Sequence, residues 1–195
     1  MARSQRDASP SGTFRYSYDG NGNLLSRTYP DGLQTSYSYD AAGELTSASV
    51  GSKKTLYTYD ADGRLASTLH PNGILDTRSY DASGRVSEIE GTSSEGVPLY
   101  SRSYSYDAVG NPTSLVATAP RDDSPGWWGP LWHQKGAELT RWTETYTYDS
   151  RNRLVKACMN ESCSHFFAYT YDPVGNWTSL ETRRGTTMAR SPLPR

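Results

Sequence analysis

Leu, Ile, Val and Phe are scarce in this chain, because together they account for only 27 of its 195 residues. With a mean hydropathy of −0.76, that share is too low for an ordinary globular core and is typical of disordered chains. High net charge, the second mark of disorder, is also missing, because 20 basic and 21 acidic residues leave a formal charge of −1. The 15 tyrosines and five tryptophans replace part of the missing apolar surface, which favours β-structure packed by aromatic rings.

Three further absences narrow the class of protein. No concentrated positive stripe is present, which argues against nucleic acid as the main partner. No apolar run reaches the length of a membrane span, and the polar N-terminus has no hydrophobic leader. No zinc-protease, nucleophile-elbow or phosphate-loop motif appears. The sequence therefore predicts neither an enzyme nor a cofactor-binding or membrane-inserted protein, and no secretory signal peptide.

A tyrosine-aspartate motif repeats along the chain. It occurs as YSYDGNGNL, YSYDAAGEL, YTYDADGRL, RSYDASGRV, YSYDAVGNP, YTYDSRNRL and YTYDPVGNW, and 13 of the 15 tyrosines lie in these seven copies. The aspartates are spaced 20 to 26 residues apart, except for one interval of 42 residues that corresponds to two periods with one motif missing. Such regular spacing indicates repeated architecture, because an active site is built once.

The chemistry of one copy predicts a β-hairpin. Tyr-x-Tyr places two rings on the same face of a strand. Asp-x-x-Gly matches a type I turn in which the carboxylate accepts from backbone N–H groups and the fourth residue has positive φ. We therefore assign a structural turn role to Asp19, Gly22, Asp40, Gly43, Asp60, Gly63, Asp81, Gly84, Asp107, Gly110, Asp149, Asn152, Asp172 and Gly175.

The Tyr-Asp-x-x-Gly-x-Leu unit resembles the YD repeat of the rearrangement-hotspot (Rhs) family, which includes wall-associated proteins, the C components of Tc toxins and teneurins. This resemblance covers about residues 14–182 and implies an all-β fold, an antiparallel ribbon of consecutive hairpins that spirals into a hollow shell. In bacterial members the shell encloses a C-terminal toxin, and in teneurins it supports adhesion at the cell surface. Bacterial shells are usually closed by a region with Asp-Pro-x-Gly-Leu motifs. Here the single DPVGN has Asn176 at the place of the leucine, so autoproteolysis is not assigned to Asp172.

The repeat also sets the expected domain boundaries and size. We expect disordered tails at residues 1–13 and 183–195, and a hairpin array at 14–182 that carries a Trp-rich irregular insertion at about 119–142. About 14 to 16 strands at about 4.8 Å spacing make a ribbon about 70 Å wide, which is too small to enclose a cargo domain alone. We therefore expect a segment of a larger wall.

The insertion holds Trp127, Trp128, Trp132 and Trp142. One interpretation is a glycan platform, because stacked indoles bind sugar faces. The other is a degenerate repeat whose indoles supply apolar surface to a thin sheet. The composition favours the second interpretation.

The two cysteines, Cys158 and Cys163, have four residues between them in the chain. If they face each other across a hairpin loop, their Cα atoms should lie within about 7 Å and a disulfide becomes feasible. A reduced pair is the alternative. A zinc site with His165 and His133 is disfavoured, because no second cysteine pair supports it.

The predicted function is a non-catalytic structural segment of an Rhs-type shell, secreted or at the cell surface as part of a larger protein. A carbohydrate or cell-surface binding module is the alternative. The expected partners are further YD repeats or an enclosed effector polypeptide, with glycans as a second candidate, and the unpaired sheet edges predict self-association.

Overall fold

The computed structural model describes residues 3–9, 12–120, 139–184 and 187–192, and every regular element in them is a β-strand. The prediction of an all-β fold of consecutive hairpins is confirmed. No helix in the described ranges could span a membrane. The strands are β1 Arg3–Ser9, β2 Gly12–Tyr18, β3 Leu24–Thr28, β4 Gln34–Tyr39, β5 Leu45–Val50, β6 Lys53–Tyr59, β7 Leu65–Leu69, β8 Leu75–Tyr80, β9 Val86–Thr92, β10 Pro98–Tyr106, β11 Pro112–Pro120, β12 Leu139–Tyr148, β13 Leu154–Cys158, β14 Phe166–Tyr171, β15 Trp177–Arg184 and β16 Thr187–Pro192.

The chain forms two compact units. The first contains Met1–Arg78 and Gly91–Val97, and the second contains Ser79–Glu90 and Pro98–Arg195. Within each unit the strands lie side by side in chain order, and the registered pairs are antiparallel. Except between β11 and β12, short connections between sequential strands explain this order, because a tight turn can only join antiparallel neighbours.

Six of the Asp motifs close their hairpins with a bulge. In the hairpin of β6 and β7, Thr58 pairs with Ser67 but Tyr59 pairs with Leu65, which leaves Ala66 without a partner in the register. The same shift occurs at the last tyrosine before the aspartate in the hairpins whose registers are described. A type I turn followed by a left-handed residue requires this extra residue.

The two faces of the strands differ in chemistry. One face carries the tyrosines of the motif, and the other carries serine and threonine. On the hydroxyl face, Ser17 and Ser26 lie 2.6 Å apart through their Oγ atoms, and Thr58 and Ser67 lie 2.7 Å apart. These cross-strand pairs satisfy their polar groups with each other.

The apolar core is thin. No large side chain in the described residues is fully buried, and the most buried apolar residues are Ala117 (1% exposed), Ala119 and Ala157. Ala117 is the register partner of Trp142, and Ala157 is the partner of Tyr146. Large rings thus lie beside small residues on the tyrosine face, which explains how few aliphatic residues the fold requires.

The strand ends differ from the expected domain boundaries. β1 and β16 lie within the segments that we expected to be tails, and β2 begins at Gly12. β1 pairs with β2 from Arg3 to Ser9, and β16 pairs with β15. Backbone ladders need no apolar side chain, so the polar composition of these segments did not indicate strands.

Candidate functional site

The seven Asp turns share one backbone geometry. In each turn the N–H of the fourth residue donates to the aspartate carbonyl at 2.9 to 3.3 Å, and the aspartate N–H donates to the fifth residue's carbonyl at 2.8 to 3.0 Å. The fourth residues have φ between +59° and +104°, a conformation that favours glycine. They are Gly22, Gly43, Gly63, Gly84, Gly110, Asn152 and Gly175.

Each turn aspartate accepts several hydrogen bonds. Its Oδ1 atom accepts from the backbone N–H groups of the third and fifth turn residues at 2.8 to 3.0 Å in all seven copies. In six copies its Oδ2 atom also accepts from the side chain of the fifth residue at 2.7 to 3.1 Å. We call this fifth residue the junction residue. The seven junction residues are Asn23, Glu44, Arg64, Arg85, Asn111, Arg153 and Asn176.

These hydrogen bonds stabilise the ionised carboxylates. The pKa of Asp149 falls to about 2, chiefly because Arg153 donates to it. The Asn23 side chain is the main cause of the lowered pKa of Asp19, and the backbone N–H of Arg64 is the main cause at Asp60. The pKa values of Asp81, Asp107 and Asp172 are lowered in the same way.

Some junction residues also contact the next hairpin. The Nη1 of Arg85 donates to the Asp107 carbonyl at 3.0 Å, and its guanidinium lies 4.6 Å from the centre of the Tyr106 ring. Arg153 repeats this arrangement on the last hairpin, with 3.4 Å to the Asp172 carbonyl and 4.4 Å to the Tyr171 ring. One arginine thus ties its own turn to the turn of the neighbouring hairpin.

The last tyrosine before the aspartate makes a second link between hairpins. Tyr59 donates from its hydroxyl to the carbonyl of Leu45 in the preceding hairpin at 3.0 Å, and Tyr171 donates to Leu154 at 2.8 Å. Tyr39 and Tyr106 make the equivalent bonds. Partial burial is the main cause of the raised pKa of Tyr59, so this hydroxyl stays a donor at neutral pH.

The turn aspartates act as hydrogen-bond acceptors that hold the turns. Aspartates with lowered pKa values do not take up a proton near neutral pH, which makes them poor general bases. In the ranges that the structure describes, no cluster of His, Cys, Asp or Glu is placed to hold a metal ion. The strongest perturbation, the raised pKa of Tyr146, arises from burial and from its hydrogen bond to Glu144.

Cys158 and Cys163 form a disulfide, with 4.8 Å between their Cα atoms, in the loop that joins β13 and β14. Cys163 has φ +50° and donates its N–H to the Asn160 carbonyl at 3.0 Å. The N–H of Ser164 donates to Asn160 Oδ1 at 2.9 Å. Asn160 and Cys163 thus occupy the places that aspartate and glycine take in the Asp turns.

The proposed tryptophan platform is described only in part. Trp127, Trp128, Trp132 and His133 lie outside the described residues. Trp142 lies in β12, and its indole N–H donates to Glu144 at 3.2 Å.

Neither the junction residues nor the tyrosine hydroxyl bonds were predicted from the sequence. A signal for the first was present, because six of the seven copies have Arg or Asn after the left-handed residue. Both side chains are donors at a place where the nearby carboxylate is an acceptor. The tyrosine hydroxyl bonds had no signal in the sequence, since only the packing of hairpins shows which carbonyl a hydroxyl contacts.

Consecutive hairpins closed by Asp turns define a β-hairpin repeat protein. Four overlapping stretches, 6–32, 18–55, 39–75 and 59–97, match the family model described as RHS Repeat. The chain therefore carries RHS repeats over residues 6–97, which confirms the resemblance drawn from the Tyr-Asp motifs. No curated protein matches the chain.

Solved structures with a similar fold include a pore form of the Photorhabdus luminescens Tc holotoxin with a mutated TccC3 component, at TM-score 0.72 and 22% identity. The complex of TcdB2-TccC3 with Cdc42 has TM-score 0.71 and 21% identity, and TcdB2-TccC3 has 0.71 and 20%. Each similarity covers 98% of this chain and 11% of the other. The chain thus spans about a ninth of the length of these toxin chains and shares their fold over that part.

Proposed function

We propose that the chain is a non-catalytic wall segment of an Rhs-type β-shell, secreted or at the cell surface as part of a larger protein, and that the shell encloses or presents a toxin or effector polypeptide. The observation that carries this proposal is the use of all seven repeat aspartates as turn acceptors. A fold similar to Tc toxin components supports it, and the disulfide fits an oxidising compartment.

The partners in this proposal are further RHS repeats and the enclosed polypeptide. β1 and β16 are the outer strands, and in the described residues each pairs with one neighbour only. A strand with one free ladder is a template for pairing with another chain. The isolated chain should therefore self-associate through its edges.

Light scattering over a dilution series tests this expectation. We expect the apparent mass to rise with concentration, and Ala8→Lys in β1 combined with Ala189→Lys in β16 should reduce that rise, because edge lysines oppose strand pairing. Val109→Lys combined with Val174→Lys, at two exposed turn tips, is a control with the same added charge and should leave association unchanged. A monomer at all concentrations would contradict the edge-pairing part of the proposal.

A panel of hydrolase, nuclease and protease substrates tests the non-catalytic part. We expect no turnover. Turnover that is lost in an aspartate variant with an intact fold would instead establish an enzyme. Binding to one defined sugar on a glycan array, lost in both Trp127→Ala and Trp132→Ala, would favour the carbohydrate-binding alternative.

A further inference from the structure

The junction residue of one Asp turn contacts the left-handed residue of the next turn. The Nη1 of Arg153 lies 3.9 Å from the point where a Cβ atom on Gly175 would stand. The Nδ2 of Asn111 donates to Oδ1 of Asn152 at 3.0 Å. Arginine and asparagine are both donors here, and each faces acceptors of the next turn.

Glu44 occupies this same place between the second and third hairpins, which are formed by β4 with β5 and by β6 with β7. Its Oε1 atom lies 2.8 Å from the point where a Cβ on Gly63 would stand. An ionised carboxylate has no proton to donate. The second hairpin is thus the copy in which the junction residue does not act as a donor at neutral pH.

Several polar side chains lie around Glu44. Within its own turn, Glu44 stands where the junction residues of the six other copies donate to the turn aspartate, and the aspartate at that place is Asp40. On the next hairpin, Tyr59 and Asp60 face it, and Tyr59 donates its own proton to the Leu45 carbonyl. Arg64, in the same turn as Asp60, lies 2.8 Å from both Asp60 and Asp62.

We propose that the junction between the second and third hairpins is a pH-responsive contact, strengthened when Glu44 binds a proton and weakened when Glu44 ionises. When protonated, the side chain can complete its own turn by donating to Asp40, as Asn23 donates to Asp19 in the first hairpin at 2.9 Å, and it no longer repels Asp60 across the junction. Ionisation removes that donor and places a negative charge beside Asp40 and Asp60. This inference concerns the contact between hairpins and does not depend on the shell role.

The direction of the effect follows from linkage. The pKa of Glu44 is raised above its ordinary value of 4.5, by desolvation first and then by Asp40. A raised carboxyl pKa means that folding favours the protonated form, so the contribution is fully present below the ordinary pKa and is lost as pH rises through the folded-state pKa. The turn aspartates with lowered pKa values respond in the opposite sense, and a comparison of variants at each pH cancels their effect.

Hydrogen exchange of the whole chain, measured by mass spectrometry on peptides from β4 to β7, tests the proposal. Glu44→Gln keeps a donor at all pH values. At about pH 8 we expect about two- to five-fold higher protection in this variant than in the wild type, with the difference vanishing towards about pH 4. Glu44→Arg should exceed the wild type at both pH values, because it restores the junction seen at Arg153.

Two further variants test whether the pH dependence requires a glutamate at a junction position. Glu161→Gln, in the exposed disulfide loop, should leave protection of β4 to β7 unchanged at every pH. Asn111→Glu should transfer the pH dependence to the junction between β11 and β12. A ratio of Glu44→Gln to wild-type protection that is the same at both pH values would overturn the proposal, since a purely steric role predicts that result.

Discussion

Asn111 donates from its side-chain amide to the side-chain carbonyl of Asn152 at 3.0 Å, although 41 positions separate the two residues in the chain. The interval that lacks a Tyr-Asp motif lies between them. β11 and β12 are nevertheless register partners from Ser114 with Thr145 to Pro120 with Leu139. The turns of the fifth and sixth hairpins therefore meet as neighbours in spite of the long interval.

Asn152 is the natural test of this contact because it also holds a left-handed conformation at φ +59°. Asn152→Ala should lower the free energy of unfolding by about 1 to 2 kcal/mol, since alanine tolerates this conformation poorly and provides no acceptor for Asn111. In Asn152→Gly the relaxed backbone offsets the lost acceptor, so we expect a change within about 0.5 kcal/mol. Urea unfolding of the two variants measures the difference, and equal losses would contradict a conformational role.

Gly63 has φ +75° and faces the Glu44 carboxylate. Gly63→Val should destabilise by roughly 1 to 3 kcal/mol, because a β-branched residue is strained in this region. Gly20→Val is the matched control, as Gly20 lies in a turn without positive φ and has open space around it. Thermal unfolding of both variants should show a loss only at residue 63, and a similar loss at residue 20 would argue against the turn geometry.

The turn aspartates predict loss of stability in acid. The pKa of Asp149 is lowered to about 2, so its contribution is complete above the unfolded pKa of about 3.9 and is lost as pH falls towards the folded value. Asp149→Asn should therefore flatten the dependence of unfolding on pH between about 4 and 2.

Asp31→Asn serves as the control for this pH series. In the described residues the Asp31 carboxylate accepts from the Leu33 backbone and from no arginine or asparagine side chain. We expect this variant to follow the wild-type pH profile. A wild-type profile that Asp149→Asn leaves unchanged would contradict the ion-pair explanation.

The hydroxyl of the second tyrosine in a Tyr-x-Tyr motif should contribute more to the free energy of unfolding than the hydroxyl of the first. Tyr171→Phe removes the hydrogen bond to Leu154 and keeps the ring against Arg153, so it should cost about 0.5 to 1.5 kcal/mol. Tyr169→Phe, in the same strand, should cost less, because its ring packs against Trp177 and its hydroxyl has no partner in the described residues. Chemical denaturation of the two variants measures this difference, and equal costs would argue against the link between hairpins.

The disulfide loop gives a redox prediction. Reduction should destabilise the chain by about 2 kcal/mol, because it frees a small ring. In reducing buffer, Cys163→Gly should be more stable than Cys163→Ala by roughly 1 kcal/mol, since Cys163 has φ +50°. Thermal unfolding with and without reductant checks both values, and equal stability of the two variants would contradict a left-handed residue at this place.

The local fold was predictable because the interactions that form each hairpin turn lie within one copy of the motif. Alternation set the tyrosine face, and Asp-x-x-Gly set a turn whose hydrogen bonds join residues at most four apart, as at Asp60 and Arg64. The resemblance to RHS repeats followed from the same spacing. The polar segment of β1 was not predictable as a strand, because the backbone of β2 pairs with it and no side-chain pattern records that pairing.

The contacts between hairpins required the tertiary structure. The sequence around Glu44 does not indicate that its carboxylate lies close to Gly63, 19 positions later. The sequence around Arg85 likewise does not indicate that its guanidinium stacks on Tyr106. Register and twist decide which side chains of successive hairpins approach each other, and both arise from strand pairing over the whole sheet. Short-range hydrogen bonds are encoded within one repeat, whereas the strength of each junction depends on which residues of two repeats the folded sheet brings into contact.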